Sequence, residues 1–275
     1  MKKGINCWTF PANYTVKECI ENAKKAGYDG IEINMEEEKK GDPSLRPDST
    51  KTEIEEILKI TQSNDIPISS VATGLHWKYS LTGENETVRN KGIQIAEKMI
   101  EAAKILNTDA ILIVPGVVNE KVSYTKAYKR SQEALKRLVK KAEARKVYIG
   151  LENVWNKFLL SPLEMKRFID EIGSAYVRFY FDIGNVLAFS YPQHWIEVLG
   201  DYMIRVHVKD FDTSIGNTQG FKNLFEGDVN WPEVIKFLRK TNYNGYLTAE
   251  LSPYKTHPET LAYDAVKRLN MIVEM

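Results

Sequence analysis

Four apolar runs in this chain each end in a side chain able to hold a metal ion or move a proton. LENVW presents Glu152, FDIGN presents Asp182, RVHVKD carries His207 and TAELSP presents Glu250. Taken singly, each has an ordinary explanation. A carboxylate at a strand end caps a helix or pairs with a lysine, and an interior histidine is held by hydrogen bonds. Taken together they are hard to leave unpartnered, because buried charge needs a counter-charge or a metal. Three carboxylates and one imidazole form a hard, oxygen-rich set that favours Mn²⁺, Mg²⁺ or Co²⁺ over a thiolate-built structural zinc site. The residues therefore point to one divalent cation. Mn²⁺ is the expected ion, with Mg²⁺, Co²⁺ or Zn²⁺ as alternatives.

Residues so far apart in sequence converge only if the fold gathers the ends of their strands. Short β-rich runs occur at 4–8, 30–35, 66–72, 109–114, 147–152, 176–182, 203–208 and 245–250. Helical stretches lie between them, at 15–26, 51–64, 86–106, 123–145, 161–172, 192–200, 231–240 and 259–273, with apolar residues recurring at three and four. Ser161-Pro162 with Glu164, and Asn230 before Pro232 and Glu233, are helix starts; Gly27, Gly173 and Gly245 mark returns to strand. Eight strand–helix pairs with no Pro/Gly/Ser linker read as a single domain over residues 1–275, a closed (β/α)8 TIM barrel of the α/β class. An open doubly wound sheet often carries a glycine-rich fingerprint after its first strand. Here that strand runs into Trp8-Thr9-Phe10-Pro11. The likeness of AGYDGIEI (26–33) to NYNGYLTAE (242–250) is the same helix-to-strand return used twice. A barrel of this kind keeps its catalytic groups at the C-terminal ends of its strands, which is where all four residues fall.

Composition narrows the partners. Lys plus Arg number 38 against 37 Asp plus Glu, a net charge of +1, so no general attraction to nucleic acid or an acidic membrane is expected. The two cysteines, Cys7 and Cys19, make no disulfide framework and read as core residues in a reducing compartment. MKKGINCWTF lacks the apolar stretch of a signal peptide, and no run approaches the ~20 apolar residues of a membrane helix. A cytoplasmic protein is the expectation.

At these residues the chain resembles the sugar phosphate isomerase/epimerase family of xylose-isomerase-like TIM barrels. That family includes ketose 3-epimerases such as D-tagatose 3-epimerase and L-xylulose-5-phosphate 3-epimerase. The resemblance spans essentially the whole chain and is most specific in LENVWNKFLLSPLEM (151–165), YFDIGNVLAF (180–189), RVHVKDF (205–211) and EGDVNWPEV (226–234). It implies that Glu152, Asp182, His207 and Glu250 hold one divalent cation, and that the protein is a homodimer or tetramer. The chain departs from the free-ketose epimerases at three substrate-contacting positions. Asn185 stands where they have a His, Thr213 where they have an Arg, and Phe158 where they have a Glu. Those departures shift the expected substrate toward another sugar or a phosphorylated one.

The implied chemistry is inversion beside a ketone, by proton abstraction and return through a metal-stabilised enediolate. Glu152 and Glu250 are the expected catalytic pair, because strands five and eight are about 135° apart by barrel symmetry. If one of them only held metal, the proton would return to the same face or shuttle to carbon 1. Aldose–ketose isomerisation or inosose dehydration at the same site is therefore the alternative, with a non-enzymatic sugar-binding protein or a repair endonuclease as remoter ones. Expected substrate contacts are Trp8, Phe10, His76, Trp77, Asn153, Trp155, Asn185 and Lys209. For Lys209 the competing explanation is an ion pair with Asp210 or Asp212. Lys222, Lys255 and Arg46 are candidates for a phosphate, without a diagnostic motif.

Overall fold

A computed structural model describes residues 1–275. Its eight barrel strands are Lys2–Asn6, Gly30–Asn34, Ile68–Ala72, Ala110–Ile113, Tyr148–Glu152, Val177–Asp182, Met203–Val208 and Tyr246–Ala249. Each pairs in parallel with its neighbours, and the first pairs with the last, Lys2 opposite Tyr246 and Ile5 opposite Ala249. The ring is thus closed and has no free edge.

The helices between the strands form for local reasons. Val16–Ala26 opens on a reciprocal capping box between Thr15 and Glu18, buries Cys19, Ile20 and Ala23, and stops at Gly27 with φ of 93°. Lys51–Ser63 repeats the device with Thr50 and Glu53. Ser161 and Asn230 accept from the third backbone N–H of Pro162–Ile172 and Trp231–Lys240, as their spacing predicts. Such a cap is worth about 1 kcal/mol.

Alternate strand residues face opposite ways, so the barrel has two different interiors. Outward-facing Ile31, Ile33, Val71, Ile149, Leu151, Phe179 and Val206 meet the helices in a core of 68 buried residues. The inward set is largely polar: Asn6, Glu32, Ser70, His207 and Thr248 are fully buried. Tyr180 crosses this space and packs with Ala72 and Leu112. Gly150 makes that crossing possible, since a Cβ there would lie 2.9 Å from the Tyr180 ring.

Three features differ from the sequence expectation. The first strand ends at Asn6 and not at Trp8, because the Asn6 side chain accepts the Trp8 N–H at 2.7 Å and starts a single 3₁₀ turn, Cys7–Thr9. Two one-turn helices, Leu75–Lys78 and Ile183–Val186, follow strands three and six. After strand seven a small antiparallel ribbon joins Asp210–Phe211 to Phe221–Lys222. Of the cysteines, Cys19 is buried and Cys7 half-buried, and both are free. No helix is long and apolar enough to cross a membrane.

Candidate metal centre

Glu152 and Asp182 are the last residues of their strands, His207 lies one residue before the end of the seventh, and Glu250 follows the eighth. Parallel pairing brings them level: Asp182 is opposite His207, and the Glu250 N–H still reaches the Val208 carbonyl at 3.3 Å. One ligand atom from each of the four lies within 4.8 Å of all the others. From His207 Nδ1 it is 3.1 Å to Glu152 Oε1, 3.7 Å to Glu250 Oε2 and 4.0 Å to Asp182 Oδ2.

The hydrogen bonding within this group is incomplete in a telling way. Asp182 Oδ1 accepts from the Asn185 N–H at 2.9 Å, so the carboxylate caps the one-turn helix behind it. Its buried Oδ2 has no hydrogen-bond donor aimed at it. Lys209 Nζ stands 2.6 Å from that oxygen and 2.5 Å from Glu250 Oε2, pairing with both charges while satisfying only Glu250 with a directed hydrogen bond. Three carboxylates and an imidazole nitrogen gathered round a single ammonium form a donor set that fits a hard divalent cation.

The electrostatics follow from crowding acids in a dry space. Burial, opposed by the His207 hydrogen bond, pushes the Glu152 carboxyl up to about 7. Burial also raises Asp182, against the pull of Lys209. Glu250 is only partly buried, and Lys209 and His207 outweigh its loss of solvent and hold it below the ordinary carboxylate range. His207 runs the other way: burial disfavours its cation, yet Glu32 and Glu250 raise it well above its usual value.

Glu32 was not among the residues expected at the site. Fully buried on the second strand, it receives His207 Nε2 at 2.6 Å on Oε1. The same oxygen accepts from Asn6 Nδ2 at 2.6 Å, and Oε2 accepts from Ser70 Oγ at 2.6 Å and from the Tyr180 hydroxyl. Burial alone would raise its carboxyl, but His207 and these donors bring it down to about 2. A signal was present: GIEIN places a charge between two isoleucines in a strand that reads as buried throughout, and such a charge needs a partner.

Trp8, Trp77, Trp155, Asn185 and Lys209 line a cleft of about 280 Å³ together with Glu152 and Glu250. Trp155 is fixed by its indole N–H on the Asn185 carbonyl at 2.8 Å and by Phe211 and Phe221, with centroids at 5.4 and 5.1 Å. The structure corrects three of the expected contacts. His76 sits fully buried in its one-turn helix, its Nε2 3.2 Å from the Gly92 carbonyl, and its ring is turned into the wall. Asn153 spends its amide on strand six, donating to the Asp182 carbonyl at 2.8 Å and accepting the Asp182 N–H at 2.9 Å. It therefore positions Asp182 and does not face the cleft. Phe10 is buried and stacks on Tyr14. Lys209 pairs with Asp182 and Glu250 at the ends of the two adjacent strands, and its chain neighbour Asp210 instead gathers three backbone N–H groups and the Trp231 indole.

An outer cleft of about 480 Å³ shares Trp8, Lys209, Phe221 and Glu250 with the inner one and adds Lys222, Asn223, Glu226, Ser252, Tyr254 and Lys255. Its acids are already engaged, Glu226 by Arg268 at 2.6 Å and Glu250 by Lys209 at 2.5 Å. Arg46 is elsewhere, 3.1 Å from Asp48. Phe158 is buried among Tyr124, Tyr128 and Phe168, and Thr213 is held by Asp228, so neither reaches the cleft.

Comparison with known proteins agrees with this geometry. An Escherichia coli protein named L-ribulose-5-phosphate 3-epimerase UlaE is 23% identical over 251 residues, covering 90% of this chain and 86% of that one. A Haemophilus influenzae protein provisionally named L-ribulose-5-phosphate 3-epimerase SgbU is 26% identical over 254 residues, 91% of this chain and 88% of its own. The crystal structure of D-psicose 3-epimerase with D-tagatose, from Clostridium cellulolyticum H10, superposes with a TM-score of 0.80 at 18% identity over the full length of both chains. The model of the xylose isomerase-like TIM barrel family matches residues 20–271, and the chain belongs to that family.

Proposed function

We propose that this protein is an isomerase, a divalent-metal-dependent 3-epimerase acting on a phosphorylated ketose. The observation that carries this reading is the pair Glu152 and Glu250. Both line the same cleft from non-adjacent strands, and both offer an oxygen to the four-residue cluster. A ketose lying between them would present opposite faces of carbon 3 to two carboxylates. One removes the proton, the other delivers a proton to the opposite face, and the reverse reaction exchanges their roles. What a divalent cation supplies when bound by Glu152, Asp182, His207 and Glu250 is stabilisation of negative charge on the substrate's carbonyl oxygen. Mn²⁺ is the ion we propose for this hard oxygen and nitrogen set.

The chain's other residues bind and orient. Trp8, Trp77 and Trp155 give the cleft apolar walls for the carbon faces of a sugar. Lys209 holds Glu250 by a 2.5 Å hydrogen bond and faces the same cleft. Lys222 and Lys255, left without carboxylate partners in the outer cleft, are the residues we propose for a terminal phosphate. The names of the curated relatives support a phosphorylated substrate.

The test is to supply Mn²⁺-loaded protein with a panel of ketoses, each free and as its phosphate, and to identify products by NMR. A carbon 3 diastereomer formed faster from the phosphate supports the reading. An aldose product makes the enzyme an aldose–ketose isomerase and not an epimerase, and loss of water from an inosose makes it a dehydratase.

A further inference from the structure

We infer that Glu32 is a positioning residue that fixes which nitrogen of His207 faces the metal-capable cluster; the inference rests on the metal reading above. Glu32 takes no part in the proposed proton transfer. It lies behind His207, on the far side of the ring from Glu152, Asp182 and Glu250, and is fully buried. An ionised carboxylate only accepts hydrogen bonds. Its Oε1 is 2.6 Å from His207 Nε2, so Nε2 must carry the proton. In the neutral imidazole that a metal requires, the lone pair of Nδ1 is then left pointing at the cluster, with the three carboxylates 3.1 to 4.0 Å away.

The rest of the arrangement holds that choice in place. Asn6, Ser70 and Tyr180 all donate to Glu32, so neither of its oxygens is free to swing away. The edge of the Tyr180 ring meets the imidazole with centroids 4.7 Å apart, which fixes the ring plane. No Lys or Arg pairs with Glu32. A site that needed only packing would be better filled by an apolar side chain, since burying a charge is costly. A carboxylate behind a ligating imidazole both selects the tautomer and makes the ligand more basic.

Glu32→Gln separates this role from packing, because the side chain keeps its shape. If the amide nitrogen turns to Nε2, the proton is driven onto Nδ1, facing the cluster. If it turns away, it confronts the Ser70 and Tyr180 hydroxyls, and Nε2 is left with a weaker neutral acceptor. Titration with Mn²⁺ alone, followed by calorimetry, should show binding about 10- to 100-fold weaker in E32Q than in the wild type. The circular dichroism spectrum should be unchanged. Tyr180→Phe and Ser70→Ala, each removing one donor to Glu32, should give smaller losses in the same direction. Equal Mn²⁺ affinity in wild type and E32Q would overturn the inference.

Should E32Q fail to fold, the wild type alone still decides. Nitrogen-15 NMR of its histidines, metal-free and Mg²⁺-loaded, should place a hydrogen-bonded proton on Nε2 of His207. A bare Nε2 with the proton on Nδ1 would overturn the assignment. Wild-type protein that takes up no Mn²⁺ would instead remove the metal reading, and the tautomer of neutral His207, read in the metal-free protein at alkaline pH, would still judge Glu32.

Discussion

Strand seven carries two inward cations, Arg205 near the bottom of the barrel and His207 near its mouth, and their surroundings differ sharply. Every arm of Arg205 is used. Nε donates to the Ser69 carbonyl at 2.9 Å, Nη1 to the Ile204 carbonyl at 2.7 Å and Nη2 to Asp109 at 2.5 Å, with the Tyr246 ring alongside. At the mouth, three carboxylates crowd one imidazole and one ammonium, and Asp182 Oδ2 has no directed donor. The lower cluster is complete as it stands. The upper one is complete only with something more. Closed polar networks hold a barrel together, and open ones are where it does chemistry.

The comparison breaks if the mouth proves to be structural. Glu152→Gln and Glu250→Gln should each lower kcat by roughly 10²- to 10⁴-fold, the usual worth of a positioned acid or base, with the fold intact by circular dichroism. Near-normal turnover in either would make the mouth another structural cluster. Next in size is the effect of acid on metal uptake. With Glu152 pushed up to about 7, acidification below that value places a proton on a ligand. Mn²⁺ affinity should therefore fall as pH drops, by about tenfold per unit for one proton, and calorimetry in buffers of different ionisation enthalpy should register proton release on binding.

Three further substitutions sharpen it. Lys222→Ala or Lys255→Ala should raise KM for a phosphorylated ketose roughly tenfold, the worth of one charge-assisted hydrogen bond, and leave the free ketose unchanged. Steady-state kinetics on matched sugars would show whether the effect follows the phosphate. At the bottom, Arg205→Met should cost about 1–3 kcal/mol in urea unfolding by removing the hydrogen bonds to the Ser69 and Ile204 carbonyls and to Asp109, with kcat untouched. A large loss of activity there would erase the distinction between the two ends.

Much of the mouth was legible because strand ends are legible. Glu152, Asp182, His207 and Glu250 each close an apolar run, and a parallel barrel brings such ends to one height without further information. What escaped was direction. Glu32 sits within its strand, and only the closed ring brings strand two within reach of strand seven. In sequence the nearest acids to Lys209 are Asp210 and Asp212, but adjacent strand residues face opposite ways. Lys209 follows His207 inward to Asp182 and Glu250, while Asp210 turns out to organise its loop. His76 and Asn153 both follow strands at the rim, but neither side chain faces the cleft. A one-turn helix rotates His76 into the wall, and the amide of Asn153 finds the backbone of strand six. Such rotations depend on tertiary partners that a linear pattern does not record.

The central claim is that two carboxylates, one on each face, share the proton transfer. It is tested most directly by following the first turnovers of the preferred ketose in D₂O and reading deuterium at carbon 3 of product and of recovered substrate. Two opposed monoprotic groups predict an epimer carrying solvent deuterium at carbon 3 from the first turnover, while unreacted substrate keeps its own hydrogen. An epimer that carries the substrate's own hydrogen would mean that a single group both removes and returns the proton, and would contradict the account.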